Sequence, residues 1–249
     1  MRIKFVATAL WLALAASAQA ADIKVLSGSG ARAAVLGLIA RFDHATGNNT
    51  TVEFAVNPET KAKILAGQPF DIAILNPPVL DDLIKRERIA AQTRTVIGRA
   101  GIGVGVREGA PKPDISSVEA FKRTLLSAKS VAYPAEGASG KYFASLVNRL
   151  GIAAEMKPRM RPASAAYNVE MVASGEADLV VVVASRISGV PGVQLVGRIP
   201  QELQTWIGFT AGLSSRPREP QAARAMLRFF RTPEAAAVLK TNGVEPFVE

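Results

Sequence analysis

Residues 23–47 read IKVLSGSGARAAVLGLIARFDHATG. Ile23 to Ser27 is a short β-rich run, and Gly28-Ser29-Gly30 breaks it. Over the next stretch, Ala31 to Thr46, Val35, Leu36, Leu38, Ile39 and Phe42 fall at helical spacing on one face, and Gly47 is placed to stop the helix. A strand that turns through small residues straight into an amphipathic helix is one βα unit, and the pattern recurs. Thr50 to Val56 reads as a second strand and Pro58 to Ala66 as a helix ending at Gly67. Phe70 to Leu75 is an apolar strand interrupted at Asn76-Pro77-Pro78, and Val79 to Arg86 is another helix. Repeated βα units predict a parallel sheet covered by helices.

The second half continues the theme. Gly101 to Val106 alternates glycine with apolar residues, which suggests a strand packed closely on one face. Its glycine spacing is wrong for a dinucleotide fingerprint, and no tight turn into a helix follows. Ser116 and Ser117 can cap a helix through Ala128. Ser130 to Tyr133 is a strand, Pro134 to Gly140 a small-residue loop, and Lys141 to Leu150 a helix. Ala166 to Ser174 is helical and Leu179 to Val183 is a buried strand. Gln194 to Val196 and Thr205 to Ala211 are strands, followed by helices over Pro220 to Thr232 and Pro233 to Thr241.

Residues 1–20 place the protein. Arg2 and Lys4 form a positive head, Phe5 to Ala16 is apolar, and Ala18-Gln19-Ala20 is a small-residue cleavage pattern. This is the signature of a secretory signal peptide, and the run is short of the ~20 apolar residues of a membrane span. The expected location is the periplasm. The formal charge is +9; without Arg2 and Lys4 there remain 28 basic and 21 acidic residues, a net +7. A basic balance is compatible with an anionic surface or an anionic ligand; dispersed basic residues without aromatic interleaving do not suit nucleic acid, and a solvated surface accounts for most of them. There is no cysteine, so disulfides and thiolate metal ligands are excluded.

Most catalytic templates fail. His44 is the only histidine and sits near a helix end, no HExxH occurs, and no cluster has metal-ligand spacing. No cofactor or metal is expected. Ser139-Gly140-Lys141 is not a phosphate loop, because Ala135 stands where its first glycine belongs and Tyr142 where Ser or Thr belongs. What remains is a set of strand-to-helix junctions rich in small residues: Gly28-Ser29-Gly30, Asn57, and Ala138-Ser139-Gly140. Helix N-termini present unpaired N–H groups and partial positive charge, and small residues let an anion approach them.

The chain resembles the periplasmic molybdate-binding proteins, a branch of the type 2 solute-binding proteins of ABC transporters. The resemblance rests on the opening Ile23 to Ala31, on Ile64 to Ile74, on Gly137-Ala138-Ser139-Gly140-Lys141-Tyr142-Phe143, on Val172 to Leu179 and on Pro233 to Leu239. It implies an α/β, two-lobed periplasmic binding protein type 2 fold, with the cleft between lobes joined by two crossing strands. Lobe 1 would comprise residues 22–105 and 208–249, and lobe 2 residues 106–207. It also implies a monomer serving an ABC transporter permease.

In that family a serine after the first strand, a serine at the second junction, a backbone group of the third loop and a late tyrosine hold the oxyanion. Here those positions fall at Gly30 with Ser29 beside it, at Asn57 or Pro58, at Ser139, and near Val183, which has no hydroxyl. Arg32, Lys61, Lys141, Tyr142, Tyr167, Asn168 and Arg186 lie near the same junctions. The expected ligand-binding set is Ser29, Gly30, Arg32, Asn57, Ser139, Lys141, Tyr167 and Asn168, for a molybdate-like or tungstate-like oxyanion or a carboxylate. Proteins resembling this family include aconitate isomerases. That alternative needs a general base, for which Glu170 or Glu136 is the candidate.

Overall fold

The computed structural model describes residues 20–247. The leader therefore lies outside the described residues, apart from Ala20. Strand β1 (Asp22–Gly28) passes through a 3-10 turn into α1 (Arg32–Thr46), and β2 (Asn49–Ala55) leads into α2 (Asn57–Leu65). Strand β3 (Ile72–Leu75) and helix α3 (Pro77–Lys85) follow, with both prolines in the first turn of the helix. There the missing N–H costs nothing. Ala34, Val35, Leu38, Ile39 and Phe42 of α1 are buried, whereas Leu36 is 45% exposed. One residue of the expected apolar face thus points to solvent, because an α-helical stripe wide enough for Val35 and Phe42 turns away before position 36.

Strand β4 (Thr95–Arg107) is the axis of the molecule. It runs 13 residues, beginning six residues before the glycine-alternating segment. Helix α4 (Val118–Ser127), β5 (Val131–Pro134), α5 (Ala138–Arg149), α6 (Ala153–Met156), β6 (Met160–Ala163), α7 (Glu170–Ser174), β7 (Leu179–Val183), α8 (Ala184–Ile187) and β8 (Val193–Arg198) come next. Strand β9 (Trp206–Leu213), α9 (Pro220–Phe229), α10 (Pro233–Thr241) and β10 (Glu245–Pro246) complete the described chain. The Ser117 hydroxyl accepts from the Ala120 N–H at 3.2 Å and caps α4; Thr232 does the same for α10 through Ala235.

The strand order is β2-β1-β3-β9-β4-β7-β5-β6, with β8 and β10 also on β4. β1, β2 and β3 are mutually parallel, as are β7, β5 and β6. β9 and β4 run antiparallel to their neighbours. The parallel sheet expected from the βα repeats therefore exists as two parallel half-sheets, and antiparallel strands join them. Residues Thr95–Gly101 of β4 pair with β9, and Ile102–Val106 pair with β7. One strand thus belongs to both halves, and the fold is two-lobed α/β. At the changeover Gln204 acts as a substitute strand residue: its Oε1 accepts from Ile102 N–H at 2.6 Å and its Nε2 donates to Ile102 O at 3.0 Å.

The second half has a core of its own, and a larger core runs from the first half into the second. Phe121, Leu125, Phe143, Leu146 and Met156 pack under α4 and α5 in one. Leu38, Phe42, Ile74, Met226 and Leu239 lie under α1, α9 and α10 in the other. Full burial of such a side chain contributes roughly 1.5–3 kcal/mol. Asp71, 1% exposed, accepts from the N–H groups of Lys24, Arg218 and Glu219 at 2.8, 2.6 and 2.9 Å. A buried carboxylate satisfied by three backbone donors fixes β1 against the start of α9.

Candidate functional site

The C-terminal ends of β1, β2, β3, β5 and β7 converge on a cavity between the two half-sheets. Its wall includes Ser29, Gly30, Asn57, Asn76, Glu136, Ser139, Asn168, Val183, Arg186 and Phe209. This is where open α/β sheets place ligands, beyond the carboxyl ends of strands. The inner cavity is small, about 40 Å³, against ~10–15 Å³ for one water. An outer cavity of about 400 Å³ shares Ser29, Val56, Glu136 and Ala165 with it and adds Arg32, Phe54 and Glu59. The inner chamber suits one compact anionic group; a larger acid must extend into the outer one.

Local structure shapes each wall. Gly30 would direct a Cβ toward Phe209 and Val183, each 3.4 Å away, so the absent side chain leaves cavity space. Ser185, fully buried, donates through its hydroxyl to Gly30 O at 2.7 Å and ties the β7–α8 turn to this junction. On the opposite wall α5 begins at Ala138, three residues before the expected start. Gly137 takes φ 89°, the region open to glycine. Gly140 lies so close to β5 that a Cβ would stand 1.8 Å from Pro134 O. The helix start therefore presses onto the sheet and carries Ser139, 8% exposed, into the cavity wall.

Arg186 dominates the electrostatics. It is 4% exposed and lies in α8, directly after the apolar β7. Its Nη2 donates to both carboxylate oxygens of Glu170, at 2.6 and 2.8 Å, and to Ala166 O at 3.3 Å, while Nε donates to Ala165 O at 3.2 Å. Among the described residues Nη1 has no hydrogen-bond partner. Arg32 stacks on the Phe54 ring, 4.2 Å from its centroid. Desolvation, then repulsion from Arg186, lowers the Arg32 pKa from its ordinary value, and Glu170 pulls the other way. Both guanidiniums interact with Glu170, and Glu136 and Glu59 add acidic side chains to the cavity walls.

The structure brings Ser29, Gly30, Asn57, Ser139 and Asn168 of the expected set to the inner cavity, with Glu136 beside them. Arg32 lines the outer cavity. Lys141 is exposed and lines neither cavity. Tyr167 is 44% exposed, and its hydroxyl donates to Glu176, away from both cavities. Glu170 is held by Arg186 and is absent from the inner wall. Lys61 pairs with Asp82, and the Tyr142 hydroxyl donates to Leu203 O. Arg186 and Asn76 are the residues that the expected set lacked. An arginine three residues past an all-apolar strand was the legible signal for the first. Among the described residues no group of three or more His, Cys, Asp or Glu is placed to hold a metal ion.

This chain matches the model of the bacterial extracellular solute-binding proteins over residues 23–245, and it belongs to that family. It is 33% identical over 241 residues to an aconitate isomerase of a Pseudomonas species, covering 94% of this chain and 91% of that one. It is 25% identical to a molybdate-binding protein of Rhodobacter capsulatus, covering 82% of this chain and 80% of that protein. The solved periplasmic molybdate-binding protein of Azotobacter vinelandii superposes with a TM-score of 0.76 at 18% identity, covering 89% of this chain and 98% of that one. That last likeness concerns the fold.

Proposed function

We propose that this protein is the periplasmic binding component of an ABC transporter and holds a small organic acid with two or more carboxylates in its interlobe cleft. The observation that carries this reading is the buried Arg186 at the wall of the inner cavity, whose Nη1 has no hydrogen-bond partner among the described residues. A planar guanidinium suits a carboxylate, and Arg32 in the adjoining chamber would meet a second one. Asn57, Ser29, Ser139 and the N-terminal amides of α5 would complete the donor set. At the late position where molybdate binders are expected to present a tyrosine, Val183 offers no hydroxyl, which disfavours a bare tetrahedral oxyanion.

Residues 1–20 act in this reading as a cleaved signal peptide, and the mature protein begins at Ala21. The lobes divide as residues 22–105 with 208–249 and as residues 106–207. They hinge where β4 and β9 cross. Thermal-shift measurements with di- and tricarboxylates, molybdate, tungstate and sulfate test the assignment. A ligand at 100 times its dissociation constant adds about 2.7 kcal/mol of stability. A shift with molybdate and tungstate alone would reject the carboxylate reading.

The 33% identity to an aconitate isomerase supports a second reading, cis–trans isomerisation of aconitate. Glu136 lines both cavities and is the base that could reach a ligand carbon. Glu170 is committed to Arg186. Incubation with trans-aconitate followed by chromatography for the cis isomer decides it, and absence of turnover removes this reading.

A further inference from the structure

Three asparagines set the hydrogen-bond polarity of the inner cavity. Asn57 Oδ1 accepts from Asn76 N–H at 2.8 Å, which leaves its Nδ2 as a donor beside Gly28. Asn76 and Asn168 are turned the other way. Their Nδ2 groups donate to Gly208 O at 2.8 Å and to Ser164 O at 2.9 Å, leaving each Oδ1 as an acceptor. Asn168 is fully buried, and its Oδ1 is buried without a partner among the described residues. Reversing this amide would set Oδ1 against the Ser164 carbonyl, acceptor against acceptor, so the orientation is fixed by the backbone. Glu136 adds a further acceptor to the same wall.

A cavity built only for a fully ionised oxyanion needs donors alone. Molybdate and sulfate offer nothing but acceptors, and against them the Asn168 oxygen would stay unpaired and repel. A buried polar group without its partner is costly, and a ligand that supplies the partner is favoured over one that lacks it. We propose that the ligand of this cleft carries a hydroxyl: it is a hydroxycarboxylate whose O–H donates to Asn168 Oδ1 while a carboxylate is held by Arg186 and Asn57. This rests on the reading that the cleft binds carboxylates. Hydrogenphosphate shares the essential chemistry, an anionic group bearing O–H, so the test separates the two sources.

The experiment is isothermal titration of the mature protein at pH 7 with three pairs: citrate and propane-1,2,3-tricarboxylate, malate and succinate, phosphate and sulfate. Each carboxylate pair differs by the hydroxyl. At least one hydroxy acid is expected to bind about tenfold or more tightly than its partner. In Asn168→Leu the ratio falls toward one. A ratio measured within a single variant does not depend on how much of that variant is folded. Equal affinities within both carboxylate pairs overturn this inference and leave the carboxylate reading standing. Binding of phosphate over sulfate, with no carboxylate bound, keeps the O–H acceptor and overturns the carboxylate reading. No binding by any member overturns both. A tenfold ratio that persists in Asn168→Leu overturns the role of Asn168.

Discussion

Replacing Gly140 by alanine tests how the cleft wall is built. The new Cβ would lie 1.8 Å from the Pro134 carbonyl oxygen, where an ordinary contact begins near 3.4 Å. The N-terminus of α5 and the end of β5 must therefore separate by about 1.6 Å, the difference between those two distances. Overpacking of this kind costs roughly 1–3 kcal/mol. In a chain of this size that lowers the melting temperature by about 2–12 °C, at ~2–4 °C per kcal/mol. The displaced element carries Ser139 and the helix N-terminal amides, so binding suffers beyond the loss of stability. A misplacement of about 1 Å in a positioned site can cost ~100-fold. The assay is a calorimetric melt of the free protein together with titration of the best ligand. Gly197→Ala is the control, since its Cβ would meet only Ile115, at 3.5 Å. If Gly140→Ala melts and binds like the wild type, α5 does not press on β5 as described.

Gly30→Asp should abolish binding while leaving the melting temperature unchanged or raised. Its side chain would enter the cavity toward Phe209 and Val183 and supply a carboxylate near Arg186; retained affinity would remove this junction from the site. Stability should fall as pH drops from about 5. Hydrogen bonds lower the folded-state pKa of Glu53 (from Lys63), Asp82 (from Lys61), Asp114 (from Ser116) and Glu176 (from Tyr167). The unfolded chain therefore binds more protons through that window. These groups are at the surface, so 1 M salt should flatten the trend for the ion-paired members, and a melting temperature that rises on acidification would contradict it. Trp206 is the sole tryptophan after residue 20. It stacks against Arg99 and Arg198 at 4.2 and 4.9 Å, and both arginines pair with Glu245. Ligand-driven closure about β4 and β9 should change its emission, and an unchanged spectrum at saturation would argue against a hinge there.

The βα repeats were legible because each junction pairs a periodicity change with a glycine, asparagine or proline. Leu179–Val183 and Pro233–Thr241 coincide with β7 and α10 for that reason. Strand direction was not legible, since alternation of apolar residues carries no polarity, and so nothing in the residues marked β4 and β9 as antiparallel to their neighbours. The first six residues of β4 lack a clean alternation. Gly98 there lies against the Glu245 carbonyl, a contact 147 positions away in the chain. Helix α8 spans four residues, too few for a helical period to register, yet it carries Arg186. Ser139 and Lys141 were weighted alike because the loop was read as running to Gly140. Once α5 begins at Ala138, Ser139 and Gly140 fall on the buried face and Lys141 on the exposed one.

Isothermal titration of the mature protein and its Arg186→Gln variant with the same carboxylates, molybdate and sulfate shows directly whether the buried guanidinium holds a carboxylate ligand. The wild type should bind a di- or tricarboxylate and should not bind molybdate tightly. Arg186→Gln should lose that binding at least ~100-fold, as expected for a buried charge-assisted contact. Tight molybdate binding with no response to any carboxylate, or carboxylate affinity untouched in a folded Arg186→Gln protein, would contradict this reading.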